Sequence, residues 1–253
     1  MDYVRVFAIV IPSVFFAGIV DSIAGGGGLI SLPAYVAAGL PPHFALGNNK
    51  FSSSIGTLFA TLMYRKSRMI DMKVALTSAA FALGGSFLGT RVVLLLNPDF
   101  LRYVLVILVP IIAVYTLINK KFGEKNNSSE IKMKKKLFLS GIAGFGIGFY
   151  DGFFGPGTGS FLILFNALAL KYDLATANGN TKVVNLASNI AAVTTFIIGG
   201  KVIFLIGIPA AVAGVLGNIL GARIAITKGA KVIRPVFIFA LALLMIKILW
   251  DII

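Results

Sequence analysis

Long apolar stretches alternate with short polar turns along the chain, and they come in two sets of five. The first set is roughly 4–24, 29–40, 44–64, 73–96 and 100–118, and the second 137–154, 158–170, 183–199, 202–226 and 232–252. None shows period-two alternation and each exceeds the ~9–11 residues of a barrel strand, so the predicted elements are helices. A bilayer crossing needs ~20 residues. The second stretch of each set has only about a dozen, too few to span, and predicts a half-helix or re-entrant piece. The pattern as a whole predicts an all-α polytopic membrane protein.

The two sets agree position by position. Residues 18–24, GIVDSIA, stand 130 positions before 148–154, GFYDGFF, so Gly18 matches Gly148 and Asp21 matches Asp151. Each block runs into glycines, GGGG at 25–28 and GPGTG at 155–159. Two inserted residues then move the offset to 132, where it stays. Asn48 matches Asn180, Lys50 matches Lys182, Ser53 matches Asn185 and Thr57 matches Asn189; Gly85, Gly89 and Arg91 match Gly217, Gly221 and Arg223. Polar and glycine positions that hold one register through apolar sequence mark a duplicated unit. The expected division is a first transmembrane repeat at 1–118, a basic linker at 119–136 and a second transmembrane repeat at 137–253. The linker, NKKFGEKNNSSEIKMKKK, has almost no apolar side chains to bury and reads as solvated, flexible chain.

Composition narrows the function classes. Hydrophobic residues are 58% of the 253, charged residues 13%, and mean hydropathy is +0.94. Soluble domains have ~45–50% and ~25%, so a water-soluble enzyme is excluded, and the apolar content covers about seven full crossings. Cysteine is absent, which removes disulfides, thiolate metal sites and cysteine relays. His43 is the sole imidazole and the nine acids do not cluster as a cation cage requires, so no metal or cofactor is expected. The net charge of +14 reflects the positive-inside rule in a chain of this class rather than nucleic-acid binding. Arg65, Lys66, Arg68 and Lys73, and the seven lysines of the linker, mark cytoplasmic loops. In the second half only Lys201 stands where the Arg65 cluster would fall, while Lys228, Lys231 and Arg234 mark the following loop. An odd number of segments per half produces that reversal, so the repeats are expected to be inverted, with both termini outside.

Inverted repeats with interrupted helices are a transporter design in which substrate binds near mid-membrane. The glycine stretches fit it: four consecutive glycines cannot be a stable helix interior, each costing ~1 kcal/mol against alanine. Freed N–H groups at Gly26, Gly27 and Gly157, together with the dipoles of the following short helices, would attract an anion; close helix packing is the plainer use of such glycines. A nucleotide-cradling loop fits worse, because no strand precedes them and no lysine follows at the right spacing. Lys50 and Lys182 each open an apolar helix in this reading. A lysine within the bilayer costs ~2.5–3.5 kcal/mol, and a bound anion would offset that, unless both snorkel to an interface. Asn49, Asn180, Thr181, Ser53, Asn185 and Asn189 are the accompanying donors, with Thr57 and Ser188 on the same helical face. Asp21 and Asp151 could carry a coupling proton or cation, pair with the lysines, or cap the breaks.

The duplicated Asp-x-x-x-Gly-rich element, the Asn-Lys and Asn-Thr-Lys sites and NLASNIAAVTTF at 185–196 resemble the TauE/SafE sulfite-exporter family, also called the TSUP permeases. The likeness covers nearly the whole chain. It implies an inner-membrane transporter of sulfite, sulfonates or related organosulfur anions. The combined expectation is a secondary transporter for a small sulfur-containing oxyanion, working by alternating access and drawing on a proton gradient. A passive anion channel and a membrane-embedded enzyme are the alternatives, and the G-x-x-x-G faces leave homodimerisation open.

Overall fold

The computed structural model describes residues 3–95 and 123–250, leaving aside the side chains of 94, 95, 244, 245 and 247–250, and the described residues hold nine α-helices and no strand. They are α1 (Tyr3–Ala24), α2 (Gly28–Ala37), α3 (Pro42–Lys66), α4 (Met72–Leu95), α5 (Met133–Phe153), α6 (Thr158–Leu168), α7 (Leu174–Ile198), α8 (Phe204–Lys228) and α9 (Ala230–Trp250). Among the described helices four, α1, α4, α7 and α8, are long and apolar enough to cross a bilayer. The expected apolar stretch at 100–118 lies outside the described residues.

Chain chemistry sets the helix ends. Gly25 and Gly155 take φ of +73° and +88°, and Gly157 takes +87°, a left-handed backbone that ends α1 and α5 and turns the chain into short helices. These short helices, α2 and α6, have 10 and 11 residues, as the pattern predicted. One helix start differs from expectation. α7 begins at Leu174, not 183, because Asp173 caps it: its Oδ1 accepts from the N–H groups of Ala175 (3.1 Å) and Thr176 (3.0 Å). The polar run Asn178–Lys182 is therefore inside a helix, and Lys50 and Lys182 do not open their helices. Each is the ninth residue of its own, in α3 and α7.

The linker also differs from a free chain where it is described. Gly123 O accepts from Leu174 N at 2.8 Å, Asn127 N donates to Lys171 O at 2.9 Å, and Lys171 pairs with Glu130 at 2.6 Å. Lys136 is already in α5, buried over the Tyr172 ring at 5.2 Å.

Glycines let two helix pairs approach at backbone distance. A Cβ at Gly85 or Gly89 of α4 would lie 2.2 or 2.1 Å from the carbonyl oxygens of Phe145 and Phe149 in α5. In α8, a Cβ at Gly217 or Gly221 would lie 2.0 or 2.4 Å from those of Phe15 and Ile19 in α1. The offsets of 132 and 130 thus recur in space, and residue numbers rise together along both pairs, so each pair is parallel. Two apolar clusters close the ends of the bundle. Ile23, Tyr64, Leu170, Leu174 and Phe237 belong to one, and Val6, Val10, Tyr35, Leu40 and Ile206 to the other. Polar side chains occupy the space between.

Candidate functional site

The two helix breaks meet in the middle of the bundle. A Cβ on Gly25 would lie 2.3 Å from the backbone of Gly159, and Ser160 Oγ donates to Ala24 O at 2.9 Å. This close approach is possible because neither glycine carries a side chain. It brings together the starts of α2 and α6, and with them the positive ends of their dipoles; the N–H groups of Leu29, Ile30 and Thr158 bond back to Gly26, Gly27 and Gly155.

Beside the breaks lie two ion pairs, each joining one half to the other. Lys50 Nζ is 2.8 Å from Asp151 Oδ2 and donates to Asn189 Oδ1 at 3.1 Å. Lys182 Nζ is 2.8 Å from Asp21 Oδ2 and also donates to the backbone oxygen of Asp21. Both lysines are buried, at 4% and 0% side-chain exposure. Neither reaches an interface, and neither stands as a free cation. A buried ammonium needs such a partner, since the desolvation penalty of a lone ion runs to several kcal/mol.

A cavity of about 40 Å³, room for a few waters, lies against the first pair. Its wall includes Asp21, Asp151, Lys50, Asn49, Ser53, Thr57, Asn185 and Asn189, with Gly28 from the start of α2 and Thr158 and Gly159 from the start of α6. The structure thus brings together both aspartates, one lysine and most of the donors singled out from sequence. A smaller void of about 20 Å³ adjoins Asp21, Ser53 and Thr57 and is lined also by Gly27, Ser31 and Asn218.

Several expected site residues lie elsewhere. Lys182 is sealed behind Asp21 and is absent from the cavity wall. Asn180 Oδ1 accepts from Asp71 N at 2.8 Å, and Thr181 Oγ1 donates to Ala177 O at 2.8 Å, so both serve packing of α7. Gly26 is set against Ala240, where a Cβ would come within 2.5 Å, and Gly157 supplies the left-handed turn before α6.

Sequence reasoning passed over the polar clamp at the end of α1. Asn178 Nδ2 lies 2.8 Å from Ser22 O and Ile23 O and 2.7 Å from Tyr64 Oη, and shares its two hydrogens among these three acceptors. Tyr64 Oη donates to Ser22 O at 2.9 Å, and Ser22 Oγ to Asn218 Oδ1 at 2.7 Å. With Lys182 on Asp21 O and Ser160 on Ala24 O, all four terminal carbonyls of α1 are satisfied by side chains. The signal was present as buried-helix amides, but comparison of the halves hid it: the position matching Asn178 is Leu46.

Compared with known proteins, residues 10–248 match the family profile described as "Sulfite exporter TauE/SafE". The chain is 38% identical over 235 residues to "Probable membrane transporter protein YfcA" of Escherichia coli K12, covering 93% of this chain and 86% of that one. It is 34% identical over 237 residues to a "Probable membrane transporter protein" of Haemophilus influenzae, covering 94% and 92%. It is 35% identical over 251 residues to "Probable membrane transporter protein ORF9" of a Sinorhizobium species, covering 98% and 94%. No solved structure matches the chain.

Proposed function

Since the chain belongs to the sulfite exporter TauE/SafE family of membrane transporters, we propose that it carries a small sulfur-containing oxyanion, of the sulfite or sulfonate class, across the inner membrane by alternating access. The observation that carries this reading is the chemistry of the cavity. One ammonium, two converging helix N-termini and the donors of Ser53, Thr57, Asn185 and Asn189 surround a void between two apolar plugs. Helix N-termini and a cation together suit an oxyanion. The aspartates complicate it usefully: an entering anion has to compete with the Asp151 carboxylate for Lys50. A proton gradient is the simplest energy source for such a carrier, with Asp21 and Asp151 as the carboxylates through which it would act.

The arrangement of the helices supports inverted repeats. Arg65, Lys66, Arg68, Lys73 and Lys132 fall at the end where α3 finishes and α4, α5 and α7 begin, since Met69 abuts Gly179, Asp71 bonds Tyr172, and Lys136 covers the same tyrosine. At the other end Gly47, near the start of α3, abuts Lys201 after the end of α7. So α3 runs toward the basic, cytoplasmic end and its counterpart α7 runs away from it.

The test is flux of labelled sulfite, thiosulfate, sulfate and short sulfonates into proteoliposomes. Wild type is expected to saturate and to show counterflow with at least one of them, and Lys50→Ala to lose at least about tenfold, the worth of a single charge-assisted hydrogen bond or more. Normal flux in Lys50→Ala removes the anion cavity. Flux that neither saturates nor exchanges makes the protein a channel instead of a carrier.

A further inference from the structure

The two ion pairs are matched in sequence but held differently, and the difference lies in residues around Asp21. On α7, Asn178 and Lys182 are one turn apart and present a single face to the end of α1. Between them they hold Asp21 Oδ2 and the backbone oxygens of Asp21, Ser22 and Ile23. Tyr64 ties the same carbonyl of Ser22 to α3, and Asn218 ties the Ser22 hydroxyl to α8. The matched positions near Asp151 are Leu46 for Asn178, Phe196 for Tyr64, Gly152 for Ser22 and Ser86 for Asn218. None can repeat the clamp as drawn: leucine and phenylalanine have no donor, Gly152 has no side chain, and Ser86 Oγ donates instead to Ser188 O at 2.7 Å.

Asp21 nevertheless lies on the cavity wall, with 20% of its side chain exposed. A carboxylate that swung off Lys182 would stand in the space an anion has to enter.

Resting on the oxyanion reading above, we infer that Asn178 is a positioning residue, which by fixing the last turn of α1 keeps the Asp21 carboxylate on Lys182 and out of the substrate's way. Asp21–Lys182 is then a strut that stays closed through the cycle, and Lys50–Asp151 is the pair that opens to admit the anion. The clamp acts through Asp21 and touches no substrate itself.

The test is a double-mutant cycle on transport, with Asn178→Leu placing at this site the residue found at the matched position. The expected result is a KM for the transported oxyanion raised about tenfold, with maximal rate within about twofold, which is a loss of uniform binding. In an Asp21→Asn background, which has no carboxylate to release, the same substitution is expected to change KM less than about twofold. An unchanged KM, a loss confined to maximal rate, or an equal loss in both backgrounds overturns the proposal. If Asn178→Leu does not fold, Tyr64→Phe removes one hydroxyl of the clamp without changing shape. It is expected to raise KM about threefold in wild type alone, as one neutral hydrogen bond would, and no rise overturns the proposal.

A readout independent of transport uses the absence of native cysteine. Ser22→Cys supplies the sole thiol, buried at the end of α1. Its reaction with a small water-soluble maleimide is expected to speed up about tenfold on adding Asn178→Leu, as a local opening that much more frequent would allow. An unchanged rate overturns the clamp. Absence of oxyanion flux in wild type, alongside a faster thiol reaction, would instead fail the functional reading and leave the clamp standing.

Discussion

Lys182 spends its ammonium on a carboxylate and a backbone oxygen at the end of α1, and none of its side chain is exposed. Lys50 holds the same place in α3, yet its ammonium meets Asp151 and Asn189 and forms part of a cavity wall. Both carry the same residue type, both stand ninth in a 25-residue helix, and both reach across to the opposite half. What separates them is their neighbours. A lysine surrounded by capped carbonyls becomes part of the framework, because every hydrogen of its ammonium that is committed to backbone is unavailable to a ligand. A lysine beside converging helix starts and amide donors keeps an exchangeable partner. Matched sequence positions therefore do not guarantee matched roles.

The sharpest way to break this comparison is to remove each charge in turn and measure stability. Lys182→Met takes the ion-pair partner from the Asp21 carboxylate and leaves the Asp21 backbone oxygen with the Gly25 N–H alone, loosening the end of α1. Breaking a buried pair in this way costs about 3–5 kcal/mol, read as a lowered unfolding midpoint in detergent. Lys50→Met releases two side chains, Asp151 and Asn189, and no backbone group, so its loss is expected to be smaller, about 1–2 kcal/mol, as for one unsatisfied group. Replacing both members, Lys182→Met with Asp21→Asn, is expected to recover most of the loss. Equal losses from the two lysines would erase the distinction between strut and gate.

Much of this organisation was legible before any coordinates. The short second helices followed from stretch lengths, and the register between halves singled out Asp21, Lys50, Asp151 and Lys182. Their cross-pairing could be raised only as one of several roles, because an offset in sequence does not say which half a side chain reaches into. The start of α7 was missed by nine residues because Asn178, Asn180, Thr181 and Lys182 interrupt the apolar pattern inside the bundle, where polar groups can be satisfied by other helices. Asp173 as a cap was the available signal. The clamp was illegible for the opposite reason: a search for agreement between halves discards a position that is asparagine in one and leucine in the other. Gly26 and Gly157 drew attention as freed donors, whereas the structure uses one for contact with Ala240 and the other for its positive φ.

A second measurement sharpens the comparison by asking whether packing, unlike charge, is shared equally. Gly85→Ala and Gly217→Ala each place a methyl group about 2 Å from a backbone carbonyl, that of Phe145 or Phe15. Neither oxygen belongs to a flexible side chain, so the helices have to part, with a cost of about 1–3 kcal/mol. The two variants are expected to lower the unfolding midpoint by similar amounts, and the double variant to lose their sum to within about 0.5 kcal/mol, as independent sites do. A large difference would mean that the halves diverge in their framework as well as in their site.

The smallest expected effect is on the KM for a short sulfonate, and it separates the two carboxylates most directly. Asp151 faces Lys50 and Asn189, with Asp21 across the cavity, so under the proposed function it is the carboxylate an entering anion has to displace from Lys50. Asp151→Asn removes that competitor, so KM is expected to fall by roughly fivefold, somewhat under the tenfold that ~1.4 kcal/mol represents. Asp21→Asn alters a group already committed to Lys182, so the KM of wild type is expected to persist. If Asp21→Asn lowers KM and Asp151→Asn leaves it unchanged, the strut and the gate have been assigned the wrong way round, and the capped end of α1 is the part that opens.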